Sequence, residues 1–187
     1  MPRNVEIKAA VRDKASLLRK ARTLWGAPRR LAQEDLFFPC PNGRLKLRLQ
    51  KPGPSYLIAY VRPDRKGPKT SRYLTAVAPE PAALAACLRA ALGAGRVVKK
   101  TRLLFLSGRT RVHVDSVVGL GDFLELEVVL RRGEGAAAGR KEALALMSRL
   151  GVRPGDLLEG AYADLATRVP ATKSCQPRPS FSQLAQA

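Results

Sequence analysis

Glu125 and Glu127 flank a single leucine in the segment DFLELEVVL. Successive side chains of an extended chain point to opposite faces, so the two carboxylates project the same way, about 7 Å apart. A pair of this kind suits a hard divalent cation such as Mg²⁺ or Mn²⁺. Positive charge is laid out with the same period. In GRLKLRLQ, Arg44, Lys46 and Arg48 alternate with Leu45, Leu47 and Leu49 and form a cationic row. In NVEIKAAV, Glu6 and Lys8 place both signs opposite Val5, Ile7, Ala9 and Val11, with Asn4 on the charged face. In TRVHVDSV, Arg111, His113 and Asp115 oppose Val112 and Val114. Rows of Arg and Lys are what phosphate oxygens require, Arg as a planar fork and Lys as a point charge.

Two arrangements fit this alternation. The charged faces form the wet side of a sheet, held by cross-strand ion pairs. Or the sheet closes with the charged faces inward. Taken alone, alternation leans to the first. A charged lumen needs a ligand, because unpaired buried charges cost several kcal/mol each. A triphosphate chelated to Mg²⁺ resolves that conflict, with Arg and Lys on the phosphate oxygens and carboxylates on the metal.

The elements that must position these residues are legible as period-two runs. EDLFFPC, SYLIAYVR, TSRYLTAV and RVVKKTRLLFL join the four segments above, giving about eight strands, a number at which an antiparallel barrel closes. Asn42-Gly43 and Ser107-Gly108 are hairpin turns between runs, and Gly53-Pro54-Ser55 is a looser one. Three segments read as helices: 14–25 with Asp13 as N-cap, 79–92 stopping at Gly93, and 139–150 stopping at Gly151. The chain has 187 residues, enough for one domain. That domain is expected over 1–166, followed by a disordered tail over 167–187 that is rich in Pro, Ser and Gln and lacks acidic residues.

Lys and Arg total 34 against 15 Asp and Glu, a net charge of +19, so the partners to expect are polyanions: nucleotides, polyphosphate, RNA or an anionic surface. With aromatics at 5%, a base-stacking platform for nucleic acid is disfavoured. Cys40, Cys87 and Cys175 are odd in number, lack metal-ligand spacing and read as reduced thiols. The first residues lack the apolar core of a signal peptide, and no run approaches the roughly 20 apolar residues of a membrane helix, so a cytoplasmic protein without a membrane partner is expected. His113, the single histidine, reads first as a structural hydrogen-bonding residue on the charged face. Tyr60, Tyr73 and Tyr162 read as packing residues with polar tips rather than base-stacking groups. Arg29, Arg30, Arg131 and Arg132 read as solvated surface. GLGDF, at 119–123, lies between two strands and lacks the GxxxxGK[ST] pattern, so its glycines belong to a hairpin loop and not to a nucleotide-phosphate loop.

Taken in order, NVEIKAAV, GRLKLR, LIAYVRPD, GPKTSRY, KKTR, RTRVHVD, GLGDFLELEVVL and GAYADL resemble the CYTH (triphosphate tunnel) superfamily, which includes class IV adenylyl cyclases and thiamine triphosphatases. The likeness runs from about residue 3 to residue 165. It implies an α+β fold, a closed antiparallel eight-stranded barrel with flanking helices and inward charges. It further implies that Glu6 and Lys8 close an ExExK signature, the first as metal ligand and the second on phosphate. Arg44, Lys46, Arg48, Arg62, Lys69, Lys100, Arg102 and Arg111 fall where the family places triphosphate-binding cations. Glu125 and Glu127 match its metal-coordinating glutamates, with Asp115 as a further acidic contributor. Asn4 replaces the first glutamate of the signature, and Val61, Arg72 and Val118 stand where an acid is more typical. The activity implied is metal-dependent hydrolysis of a triphosphate, whether inorganic, thiamine or nucleoside. Cyclisation of ATP to cyclic AMP, or a catalytically weakened barrel that holds polyphosphate or RNA, are the alternatives.

Overall fold

The computed structural model describes residues 1–165. The tail expected at 167–187, and Cys175 within it, lies outside the described residues. Among these, the chain forms β1 (Arg3–Ala10), α1 (Lys14–Trp25), β2 (Arg29–Phe38), β3 (Arg44–Lys51), β4 (Ser55–Val61), β5 (Lys69–Ala78), α2 (Pro81–Leu92), β6 (Val97–Ser107), β7 (Thr110–Val117), β8 (Gly121–Val129), α3 (Ala136–Leu150), a 3₁₀ turn at Pro154–Asp156 and α4 (Tyr162–Leu165). The strands close a barrel in the order β1-β5-β4-β3-β2-β6-β7-β8, every neighbouring pair antiparallel. This is the α+β eight-stranded barrel with flanking helices that the family resemblance implies. None of the described helices is long and apolar enough to cross a membrane.

Alternation determines which face goes where. Val5, Ile7, Val112, Val114, Leu124, Leu126 and Val128 lie on the outside of the barrel, packed under Leu17 and Ala21 of α1 and Ala143, Leu146, Met147 and Leu150 of α3. A second cluster places Ala85 of α2 over Leu36, Phe38 and Leu47 of β2 and β3. Each fully buried Val, Leu or Ile contributes about 1.5–3 kcal/mol, so these outer faces hold the helices to the barrel. Their polar partners are thereby turned inward, and the charged faces form a lumen rather than a wet sheet surface.

The helices begin and end for local reasons. The Asp13 side chain accepts a hydrogen bond from the Ser16 amide at 2.9 Å and opens α1, and Gly26 closes it. Helix α2 starts at Pro81, two residues inside the expected segment, with proline in the first turn where its missing N–H costs nothing. Helix α3 starts three residues before the expected position, because Ala136, Ala137 and Ala138 are strong helix formers without a periodic signal. Strand β2 starts at Arg29, five residues before the expected run.

The chain entering β6 runs hard against β2. A methyl group on Gly95 would lie 2.2 Å from the carbonyl oxygen of Phe37. Gly95→Ala must therefore move backbone and is expected to lower stability by about 1–3 kcal/mol, read as a lower thermal midpoint. An unchanged midpoint would contradict the close approach.

One mouth of the barrel is shut. Leu157 bridges Ala9, and the Leu158 amide donates to the Lys8 carbonyl at 2.8 Å. Beyond them Tyr162 and Ala163 pack among Val98, Val117 and Phe123, with Phe37, Leu120, Leu158 and Leu165 around them. These strand residues all lie at the same end of the barrel, so the segment from Leu157 to Leu165 forms an apolar stopper.

Candidate functional site

The lumen encloses a cavity of about 630 Å³. Its walls carry Lys8, Lys46, Arg48, Arg62, Lys100, Arg102 and Arg111, together with the carboxylates of Glu6, Asp35, Glu125 and Glu127. His113, Asn4, Tyr60, Tyr73 and Tyr162 line it as well, and Arg29 lies at its edge. Strand register explains the convergence. Glu6 stands opposite Glu127 and Lys8 opposite Glu125 across β1–β8, while His113 stands opposite Glu125 and Arg111 opposite Glu127 across β7–β8.

Two of the cations expected in the site lie apart from this lining. Arg44 makes a bidentate pair with Asp64 at 3.1 and 2.7 Å and also reaches Asp164 at 2.8 Å. Lys69 is fully buried, its ammonium donating to the carbonyls of Arg65 and Leu158 at 3.2 and 3.5 Å. Of the positions where an acid is more typical of the family, only Asn4 faces the lumen. Val61, Arg72 and Val118 are exposed on the outside, so a carboxylate at any of the three would not reach the cavity.

Asp35 escapes a sequence reading and sits among three of the cations. Its carboxylate accepts from Arg48 at 2.7 and 2.8 Å, from Lys46 at 3.1 Å and from Lys100 at 3.1 Å. Burial raises its pKa, but Arg48, Lys100 and Lys46 together outweigh burial and hold it well below the usual carboxylate range. Lys46 is pushed down to about 7 by burial and by Arg48, against the pull of Asp35.

The opposite wall carries the other acids. Glu125 accepts from Arg102 at 2.6 Å and pairs with Lys8 at 3.1 Å. Burial pushes the Glu125 carboxyl up, and Lys8, His113 and Arg102 bring it well below its ordinary value. Glu127 pairs with Arg111 at 2.9 Å and is lowered to about 2, with burial opposed chiefly by His113 and Arg111. Glu6 is ion-paired with Arg62. Burial raises its pKa, and Glu127 and Glu125 add to that rise against the lowering by Arg62. Asp115, also expected among the acids, has both oxygens engaged: Arg102 forks onto it at 2.7 and 2.6 Å, and the Tyr162 hydroxyl donates to it at 3.1 Å. The Tyr162 ring lies under the Lys8 ammonium, 3.6 Å from its centroid.

Ligand atoms of His113, Glu125 and Glu127 all lie within 4.8 Å of one another, and the His113 Nδ1 is buried without a hydrogen-bond partner among the described residues. Burial and then Arg102 lower the His113 pKa, which favours the neutral imidazole. Carboxylates with an unpartnered ring nitrogen beside them fit a divalent cation. The arrangement as a whole can neutralise a chain of phosphates on several sides while offering carboxylate oxygens to a metal on one wall.

Known structures share this architecture. A Pyrococcus horikoshii OT3 protein superposes with a TM-score of 0.76 at 25% identity, over 87% of this chain and 98% of that one. A candidate adenylate cyclase from Vibrio parahaemolyticus gives 0.72 at 19% identity, over 88% and 97%. A candidate adenylyl cyclase from Hippeastrum, described as having a dominant triphosphatase activity, gives 0.59 at 12% identity, over 89% and 98%. Comparison with curated proteins finds no match. The CYTH domain family matches residues 2–162, nearly the whole of the described chain. With a closed barrel whose lumen is lined by facing cations and carboxylates, this chain belongs to the CYTH domain family.

Proposed function

We propose that this protein hydrolyses a triphosphate in a metal-dependent reaction inside the barrel. The observation that carries the reading is the charge layout of the lumen, where the cations outnumber the carboxylates and the latter divide between two walls. Lys46, Arg48 and Lys100, gathered by Asp35, form one phosphate-binding wall. Lys8, Arg62, Arg102 and Arg111 form the other, interleaved with Glu6, Glu125 and Glu127. Fixed cations that neutralise phosphoryl oxygens and orient the terminal group are the main catalytic resource for phosphoryl transfer. Glu125 and Glu127, with Glu6 beside them, would hold Mg²⁺ or Mn²⁺. A bound divalent ion supplies charge neutralisation and a more acidic water. The triphosphatase described for the Hippeastrum relative is in keeping with this chemistry. Phosphate release from inorganic triphosphate, thiamine triphosphate and ATP with Mg²⁺ or Mn²⁺ tests it, and absence of release from all three would overturn it. Cyclic AMP formed from ATP without phosphate release would instead favour cyclisation.

One observation favours a second reading, a barrel that binds polyphosphate or RNA without turnover. Every carboxylate lining the lumen is already paired with a cation: Glu6 with Arg62, Asp35 with Arg48, Glu125 with Lys8, Glu127 with Arg111. That reading expects tight binding of a phosphate chain in EDTA, with affinity falling steeply as salt rises.

Either way, Lys46 gives the binding step a pH dependence. Its ammonium loses its proton as pH rises through about 7, whereas a polyanion favours the protonated form. Binding should therefore take up a proton above neutrality, and triphosphate affinity should fall between about pH 7 and pH 9. Calorimetry in two buffers of different ionisation enthalpy measures the uptake. Binding heats independent of buffer over this range would remove Lys46 from the site.

A further inference from the structure

We propose that His113 is a metal ligand, joining Glu125 and Glu127 in a site of one imidazole and two carboxylates that favours Mn²⁺ over Mg²⁺. The inference rests on the metal-dependent reading above and adds to it a nitrogen donor and an ion preference. The register sets the arrangement. His113 stands directly opposite Glu125 across β7–β8, so both side chains enter the lumen from the same face, with Glu127 one alternation further along.

The His113 Nδ1 lies 3.8 Å from Glu125 Oε2 and 3.8 Å from Glu127 Oε1. Those separations are too long for hydrogen bonds. They are shorter than about 4.2 Å, the sum of one metal–nitrogen and one metal–oxygen bond of ~2.1 Å each. A single ion can therefore bridge the nitrogen to either oxygen without moving a strand. The residue is 4% exposed, and its Nδ1 has no hydrogen-bond partner among the described residues. A buried polar atom left so carries a desolvation penalty that a metal bond removes.

Cations engage three of the four carboxylate oxygens, so room for the ion opens as they turn to the substrate. Arg102 engages Glu125 Oε2 and Lys8 engages Oε1, at 2.6 and 3.1 Å. Arg111 takes Glu127 Oε2 at 2.9 Å, which leaves Glu127 Oε1 facing the imidazole. With Arg102 and Arg111 so near, a cation is expected to enter together with the triphosphate, whose phosphates take over those two guanidinium groups. Imidazole sets the choice of metal. Mg²⁺ demands an oxygen shell and parts with water reluctantly, whereas first-row transition ions accept nitrogen donors readily.

The test is pulsed electron paramagnetic resonance of Mn²⁺ added to the wild-type protein with inorganic triphosphate. The expected spectrum carries ¹⁴N coupling from a ligating imidazole, and His113→Gln removes it. The same substitution should reduce the preference for Mn²⁺ over Mg²⁺, measured by competition for the bound ion, by about 10-fold. Bound Mn²⁺ without ¹⁴N coupling in the wild type would overturn the inference and leave a carboxylate site standing. Absence of bound Mn²⁺ with triphosphate present would overturn the metal-dependent reading along with it. Both of these results are read on the wild-type protein and do not depend on the variant folding.

Discussion

Replacing Glu125 and Glu127 together by glutamine is expected to reduce phosphate release from inorganic triphosphate by about 10³-fold or more, to near the limit of detection. Both carboxylates face the lumen from β8, the strand that closes the barrel against β1. Glutamine keeps their shape and removes two negative charges from the wall proposed to hold the metal. The change also leaves Lys8 without its partner Glu125 and Arg111 without Glu127, while Arg102 retains Asp115. Excess positive charge in the lumen should preserve or tighten the binding of inorganic triphosphate in EDTA. Loss of turnover with binding intact would locate the defect in the chemical step. Turnover within 10-fold of wild type would remove these glutamates from the reaction.

The second large effect is expected at Asp35. Its carboxylate is 1% exposed and accepts from Lys46, Arg48 and Lys100. Asp35→Ala leaves the buried Lys100 and the half-buried Lys46 and Arg48 facing one another, and breaking a buried pair in this way costs about 3–5 kcal/mol. For a domain of this size the thermal midpoint should fall by on the order of 10 °C. The loss should be partly reversible with ligand. Inorganic triphosphate supplies the missing negative charge, so it should raise the midpoint of the variant by more than that of the wild type. Equal shifts would mean that these three side chains do not contact the phosphates. The same residue sets an acid limit. Its pKa is lowered on folding, so its contribution is present above the unfolded carboxylate value and disappears as pH falls through the folded one.

Much of this site is legible without coordinates, because the period-two runs carry meaning on both faces. Val5, Ile7 and their like announce one buried face, and Glu6, Lys8, Arg48, Glu125 and Glu127 announce the other. The direction of that charged face comes from the family likeness, since a solvated sheet shows the same alternation. Asp35 stays hidden for a physical reason. On β2 the inward residues Arg29, Leu31, Gln33, Asp35 and Phe37 mix charge with apolar bulk, and so do the outward ones, so neither face shows a clean period. The pattern marks the strand only from Glu34 onward, and Asp35 is lost in an apolar run. Tyr162 is placed in the lumen by the chain returning across the barrel mouth after α3, a long-range contact that local pattern does not encode. Val61 and Arg72 illustrate the converse. Both neighbour lumen residues in sequence, Arg62 and Ser71, and the alternation that turns those inward turns Val61 and Arg72 out.

Closure of the barrel by β1 against β8 has a consequence for how the molecule is made. Glu6 and Lys8 leave the ribosome some 120 residues before Glu127 and Glu125, which stand opposite them across β1–β8. Until then β1 has only β5 as a neighbour, and the charges destined for the lumen stay hydrated. Closing the barrel therefore strips water from cations and carboxylates together. Pairing between strands so far apart in sequence is slow. A nascent chain held short of β8 would thus present β1–β7 as an open sheet with a charged concave face, and polyanions in its surroundings are the species placed to occupy it first.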